Sequence, residues 1–119
     1  MRVGAAIIVL SLGITAGSAQ AHFLNGNKLY ELCTAPAPEY LKEAQCLGYV
    51  QATADYLNSL RFVNHLPECP PTDANTRQVV DVVVNYLRDR PQDRNSDADT
   101  LVVFALTSAW KCPPQGSNP

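Results

Sequence analysis

Positive charge is scarce and scattered in this chain: nine basic side chains stand against eleven acidic ones in 119 residues. No cluster of Lys and Arg exists to pair with phosphates, which argues against a nucleic acid or an anionic membrane surface as partner. Histidine is nearly absent, with only His22 and His65. Neither C-x-x-C nor H-x-x-x-H occurs, so the usual close ligand pairs of a metal site are missing. G-x-S-x-G, H-E-x-x-H and glycine-rich phosphate loops are missing as well, and with them any recognisable catalytic constellation. The chain therefore reads as a non-enzyme without cofactor or metal. Beyond the N-terminus no apolar run approaches the roughly 20 residues that cross a bilayer.

The N-terminus itself is the exception. Met1-Arg2 is a short positive segment, Val3 to Ile14 is almost unbroken apolar sequence, and Ala19-Gln20-Ala21 closes a small, polar stretch. This is the three-part pattern of a secretory signal peptide, with a core too short for a membrane anchor. Cleavage after Ala21 is expected to release residues 22–119 into the periplasm, leaving 98 of the 119 residues. That length suits one small domain, here 22–114, followed by a disordered tail over 115–119. Only Arg2 is lost among the charged residues, so the mature chain carries eight basic and eleven acidic groups. A mature N-terminal His22 could offer copper an amine and an imidazole, with His65 as the sole partner histidine. The plainer reading is that the cleavage point falls there.

All four cysteines, Cys33, Cys46, Cys69 and Cys112, lie in the mature part. An even count in a short exported domain reads as two disulfides, which also removes any free thiol nucleophile.

Four segments carry helical signals. Asn25 is a good N-cap, with Leu24 before it placed to staple onto Leu29. This first helix is expected to reach about Cys33, stopped by Pro36 and Pro38. A second begins near Glu39 and ends near Asn64, with Ala44, Leu47, Val50, Ala54 and Leu57 expected on its buried face. Gly48 inside it suggests close approach of a neighbouring helix, where Gly48→Leu would cost about 1–3 kcal/mol. The run from Val79 to Leu87 has the β-branched composition of a strand. Its Asn75/Gln78 capping box, its i, i+4, i+8 apolar spacing and Pro91 favour a helix. Ser96 and Asp99 resemble a second capping box, opening a fourth helix with Leu101, Val102, Ala105, Leu106 and Trp110 inside and Pro113-Pro114 at its end. Asp55 is a lone carboxylate, expected to solvate an exposed face or to pair with Arg61 or Lys42. The fold class is all-α, a small disulfide-braced bundle of about four helices.

Sequence alone permits three cysteine pairings. An antiparallel order of helices selects Cys33–Cys46 and Cys69–Cys112. Chain entropy gives about 3 kcal/mol for the shorter loop and about 4 for the longer. In the turn between helices three and four, Arg94, Asn95 and Ser96 offer donors and acceptors to a protein partner. Arg94→Ala is expected to weaken such binding by about 2 kcal/mol without lowering the melting temperature. Ser96 is the confounded probe, since a capping role alone is worth about 1 kcal/mol.

With these pieces placed, the mature chain resembles the Rap/Tai-type immunity proteins. The likeness runs through Phe23-Leu24-Asn25-Gly26-Asn27, Leu29-Tyr30-Glu31-Leu32-Cys33, Cys46-Leu47-Gly48-Tyr49-Val50 and Cys69-Pro70-Pro71. It continues through Gln78 to Leu87 and from Leu101-Val102 to Cys112-Pro113. The resemblance implies an exported, all-helical bacterial protein that docks onto a cell-wall peptidoglycan amidase delivered by type VI secretion, often as a homodimer. The family commonly opens its third helix with Gly, a hydrophobic residue and Thr. This chain has Asp73-Ala74-Asn75 there, so its loop surface differs. A periplasmic helical stress chaperone or an orphan protein-binding module are the alternatives, although such chaperones are expected to carry one disulfide rather than four cysteines. Peptide mapping of the unreduced mature protein should yield linked Cys33–Cys46 and Cys69–Cys112 fragments. A Cys33–Cys112 or Cys46–Cys69 fragment would rule this pairing out.

Overall fold

The computed structural model describes residues 23–114. The signal segment 1–21, the expected cleavage point after Ala21, His22 and the tail over 115–119 lie outside them. Four helices and no β-strand form among the described residues: α1 Gly26–Cys33, α2 Tyr40–Val63, α3 Thr76–Asp89 and α4 Ala98–Ala109, with a 3-10 turn at Pro91–Asp93. Every pair of the four helices is in contact around one core.

Two of the helices start on asparagine caps. Asn25 Oδ1 accepts from Lys28 N at 2.9 Å, and Asn75 Oδ1 accepts from Gln78 N at 2.9 Å. Each satisfies one of the amides that a helix start leaves without an internal partner. In α3, Val79, Val80, Val83, Val84 and Leu87 are all buried, a single helical stripe whose burial outweighs the strand preference of valine. The buried face of α2 is Cys46, Val50, Leu57 and Arg61, flanked by partly buried Leu47 and Ala54. Ala44, expected on that face, is exposed. It precedes Cys46 by two residues and so lies about 200° around the helix from it.

Two helix ends share one device. His65 follows α2 with φ 56° and Lys111 follows α4 with φ 49°. This left-handed residue lets Leu66 N reach Arg61 O, and Cys112 N reach Thr107 O, each at 2.9 Å. Both are Schellman turns, which satisfy carbonyls that the helix end leaves open. The turn at Lys111, before Pro113-Pro114 is reached, ends α4 and carries Cys112 back toward Cys69. The disulfides are Cys33–Cys46 and Cys69–Cys112, with Cα separations of 5.0 and 5.6 Å. They are the two pairs that the helix order predicts.

The path into α3 is less simple than that of an up-and-down bundle. After α2 the chain doubles back along it, held rung by rung. Arg61 Nε donates to Pro67 O at 2.7 Å, and Asn58 both accepts from Cys69 N at 2.8 Å and donates to Pro70 O at 3.1 Å. Gln51 then meets the Thr76 hydroxyl at 3.0 Å, and Glu43 pairs with Arg77 at 2.9 Å. Helix α3 therefore begins beside the middle of α2, and Cys112 bonds to this returning linker rather than to the start of α3. Arg61, 7 % exposed, also donates through Nη2 to Pro113 O at 3.1 Å, tying both chain segments of the second disulfide to α2.

The expected close approach at Gly48 is not there: a Cβ added at Gly48 would meet nothing within 4 Å. The tight glycine is Gly26, where a Cβ would press on the Leu101 side chain and lie 2.8 Å from Arg94 O and 2.9 Å from Arg94 Cα. Gly26→Ala should lower stability by about 1–3 kcal/mol through overpacking against backbone. Gly48→Ala should raise it by up to about 1 kcal/mol through helix propensity. Thermal melts of both variants in dilute solution test this, and equal melting of Gly26→Ala and wild type would refute the close contact.

Candidate functional site

The connection from α3 to α4 is anchored to the first turn of α1. Gly26 N donates to Ser96 O at 2.9 Å, Asn27 N to Arg94 O at 2.7 Å, and Ala98 N to Leu24 O at 3.0 Å. Asn25 and Asp97 face each other as an antiparallel bridge. The connection has its own internal bonds as well, Ser96 N to Asp93 O at 3.0 Å and Asp93 N to Arg90 O at 3.1 Å. Backbone bonds thus fix it on both sides, and its side chains are left to face outward or inward as sequence dictates.

The three candidate residues separate cleanly. Arg94 turns inward: Nε donates to Leu87 O at 2.6 Å, Nη2 to Arg88 O at 3.2 Å, and Cζ stacks 3.9 Å from the centre of the Tyr30 ring. Those carbonyls belong to the last turn of α3, where a cation is favoured both as a donor and against the helix dipole. Asn95 and Ser96 are exposed. The expected Ser96/Asp99 capping box does not form: α4 is capped at Asp97, by backbone geometry without a side-chain bond. Asp99 Oδ1 instead accepts from the adjacent Thr100 N at 2.8 Å. Ser96 is therefore the clean probe of this surface, and Arg94 the confounded one.

Two neighbours complete the surface that sequence reasoning missed. Asn27 is exposed directly beside the loop, its amide bonded to Arg94 O. Gln92 on the 3-10 turn is exposed as well. A polar apex of Gln92, Asn95, Ser96 and Asn27 results, rich in amide and hydroxyl groups and free of formal charge. The signal that could have found Asn27 was Gly26: a glycine at the first position of a helix marks a close backbone approach. Beneath α4, burial and then the nearby Asp99 carboxylate hold the Tyr49 phenol above its ordinary value, so it stays protonated.

The pairings expected for Asp55 do not occur, because Arg61 is spent on Pro67 and Pro113, and Lys42 pairs with Glu39 at 3.0 Å and Glu31 at 3.5 Å. Glu39 and then Glu31 hold the Lys42 ammonium above its usual range, while Lys28 first and Lys42 second lower the Glu31 carboxyl. Asp55 is exposed. Among the described residues no group of three or more His, Cys, Asp or Glu is placed to hold a metal ion, and no helix is long and apolar enough to cross a membrane. His65 is committed to the turn that ends α2.

A family model, that of the Rap1a immunity proteins, matches residues 25–112. No curated protein and no solved structure matches the chain.

Arg94→Ala should lower the melting temperature, at a cost of about 1.5–3 kcal/mol for charge-assisted hydrogen bonds to α3. Ser96→Ala and Asn95→Ala should each stay within about 0.5 kcal/mol of wild type. Chemical denaturation of the three variants checks the division, and an unchanged Arg94→Ala would mean that the guanidinium carries no structural role.

Proposed function

Since the chain belongs to the Rap1a immunity protein family, we propose that it is exported to the periplasm and there neutralises a cell-wall peptidoglycan amidase by occluding its active-site groove. The family match over nearly the whole described domain carries this reading. An immunity protein acts by binding, and the residues present suit binding rather than catalysis. Two disulfides fit an oxidising compartment, and the N-terminal 21 residues have the form of a signal that is removed after Ala21.

The amidase assignment and its delivery by type VI secretion rest on the family resemblance. What the geometry adds is a means. The apex of Gln92, Asn95, Ser96 and Asn27 presents neutral donors and acceptors on backbone that is already ordered. A loop that enters a catalytic groove loses less entropy on binding when its backbone is fixed beforehand. Neutral amides also pair with either donors or acceptors in the groove without the desolvation cost of a charge.

Coexpression tests the function directly. Exported beside its cognate amidase, the wild-type protein should prevent lysis, and a complex of standard size should bury about 1,600 Å² in total. The Asn95→Ala/Ser96→Ala double variant should bind at least about tenfold more weakly while melting as wild type does. Tight binding by that variant would move the interface away from the apex. Lysis in the presence of folded, exported protein, across a panel of peptidoglycan amidases, would overturn the amidase reading.

A further inference from the structure

Of the eight large apolar side chains that stand exposed among the described residues, six lie on α2: Tyr40, Leu41, Tyr56, Leu60, Phe62 and Val63. This concentration on one helix is unlike the scattered apolar exposure of an ordinary surface. Most of it falls on the face turned away from the core. Leu41, Ala44, Gly48, Ala52, Tyr56, Leu60 and Val63 are all exposed and follow one another at spacings of three, four, four, four, four and three residues. Such spacing keeps them on one stripe of the helix. None of the seven carries a charge.

The order of sizes along the stripe identifies what covers it. Counted outward from Ala52, the spacing is the same in both directions, four, four and three. Each bulky residue on the C-terminal side therefore has a counterpart at equal distance on the N-terminal side. Tyr56 answers to Gly48, Leu60 to Ala44, and Val63 to Leu41. We propose that α2 packs antiparallel against α2 of a second copy, about a two-fold axis passing at Ala52. In that pairing Tyr56 of each copy lies over the backbone left open by Gly48 of the other, and Leu60 over Ala44. Large against small on both sides is the complementarity that a two-fold interface requires, because one surface must fit itself. It also accounts for Gly48, whose missing side chain makes no room for anything inside the protomer.

The stripe runs about 33 Å from Leu41 to Val63 at 1.5 Å per residue, and a helix is about 10–12 Å wide. A footprint of this size is at the small end for specific association. The dimer is accordingly an equilibrium in the micromolar range rather than a permanent assembly. The assignment is independent of the amidase reading, since self-association and inhibition are measured separately.

Sedimentation equilibrium of the mature protein from about 1 µM to about 300 µM should show reversible dimerisation. Ala52 lies on the axis and is exposed, so A52R and A52E should fold and melt near wild type while placing like charges against each other. Each should dimerise at least about tenfold more weakly than wild type, and an equimolar mixture of the two should recover the dimer. Recovery in the mixture is specific to an axis at position 52, because no other register brings the two substituted residues together. A wild-type monomer at about 300 µM would overturn the proposal and leave the face to a different protein. Undiminished dimerisation of A52R, or no recovery in the mixture, would overturn the two-fold at Ala52.

Discussion

The bonds that Gly26 and Asn27 donate to Ser96 and Arg94 hold the first turn of α1 against the start of α4, and much else depends on that contact. Backbone can approach backbone this closely only because Gly26 has no Cβ. Once α1 is seated there, Tyr30 lies under the Arg94 guanidinium, and Arg94 in turn closes the end of α3. Three helix ends are joined by one glycine and one arginine. The far end of α1 is then positioned for Cys33 to reach Cys46.

The opposite end of the molecule is held by a different means. Arg61 and Asn58, on successive turns of α2, bind the returning linker through its carbonyls and an amide, and Arg61 also reaches Pro113. The Cys69–Cys112 bond joins the same two segments covalently. A buried arginine is costly unless its donors are satisfied; here carbonyl oxygens of two segments satisfy it, and no buried side-chain polar atom among the described residues lacks a partner. A domain this small buries a limited share of its surface. Its tertiary order rests on these polar and covalent ties as well as on the valine and leucine core.

Helix existence and type were legible in the sequence because caps, proline stops and apolar spacing agreed with one another. Asn25 and Asn75 cap as their positions suggest, and the valine run of α3 is helical because its flanks outvote its propensity. The cysteine pairing was legible from helix order. The failures share a cause: each concerned a contact between segments distant in sequence. Gly48 and Gly26 are equivalent as letters, and only the position of Leu101 and Arg94 in space separates them. Arg94 read as an outward donor because the open carbonyls of Leu87 and Arg88 cannot be seen without the turn that brings them near. Ser96 carried the residue type of a cap, but the bridge between Asn25 and Asp97 sets the start of α4 one residue later.

That division of labour bears on how such a protein can be specific. At the apex, the fold is maintained by Gly26, Tyr30, Arg94 and backbone bonds, while the exposed side chains of Asn95 and Ser96 form no part of it. Substitution at those two positions changes what the loop offers a groove without changing the loop's shape. Discrimination between effectors is a difference of binding free energies, set by which donors and acceptors are matched and which are left unpaired. A scaffold that separates the residues fixing the backbone from those meeting the partner can alter one set while keeping the other. The stripe on α2 obeys the same separation from the other side of the helix. Its exposed residues contribute nothing to the core formed by Cys46, Val50 and Leu57, so association through α2 and recognition through the apex draw on different residues of one rigid domain.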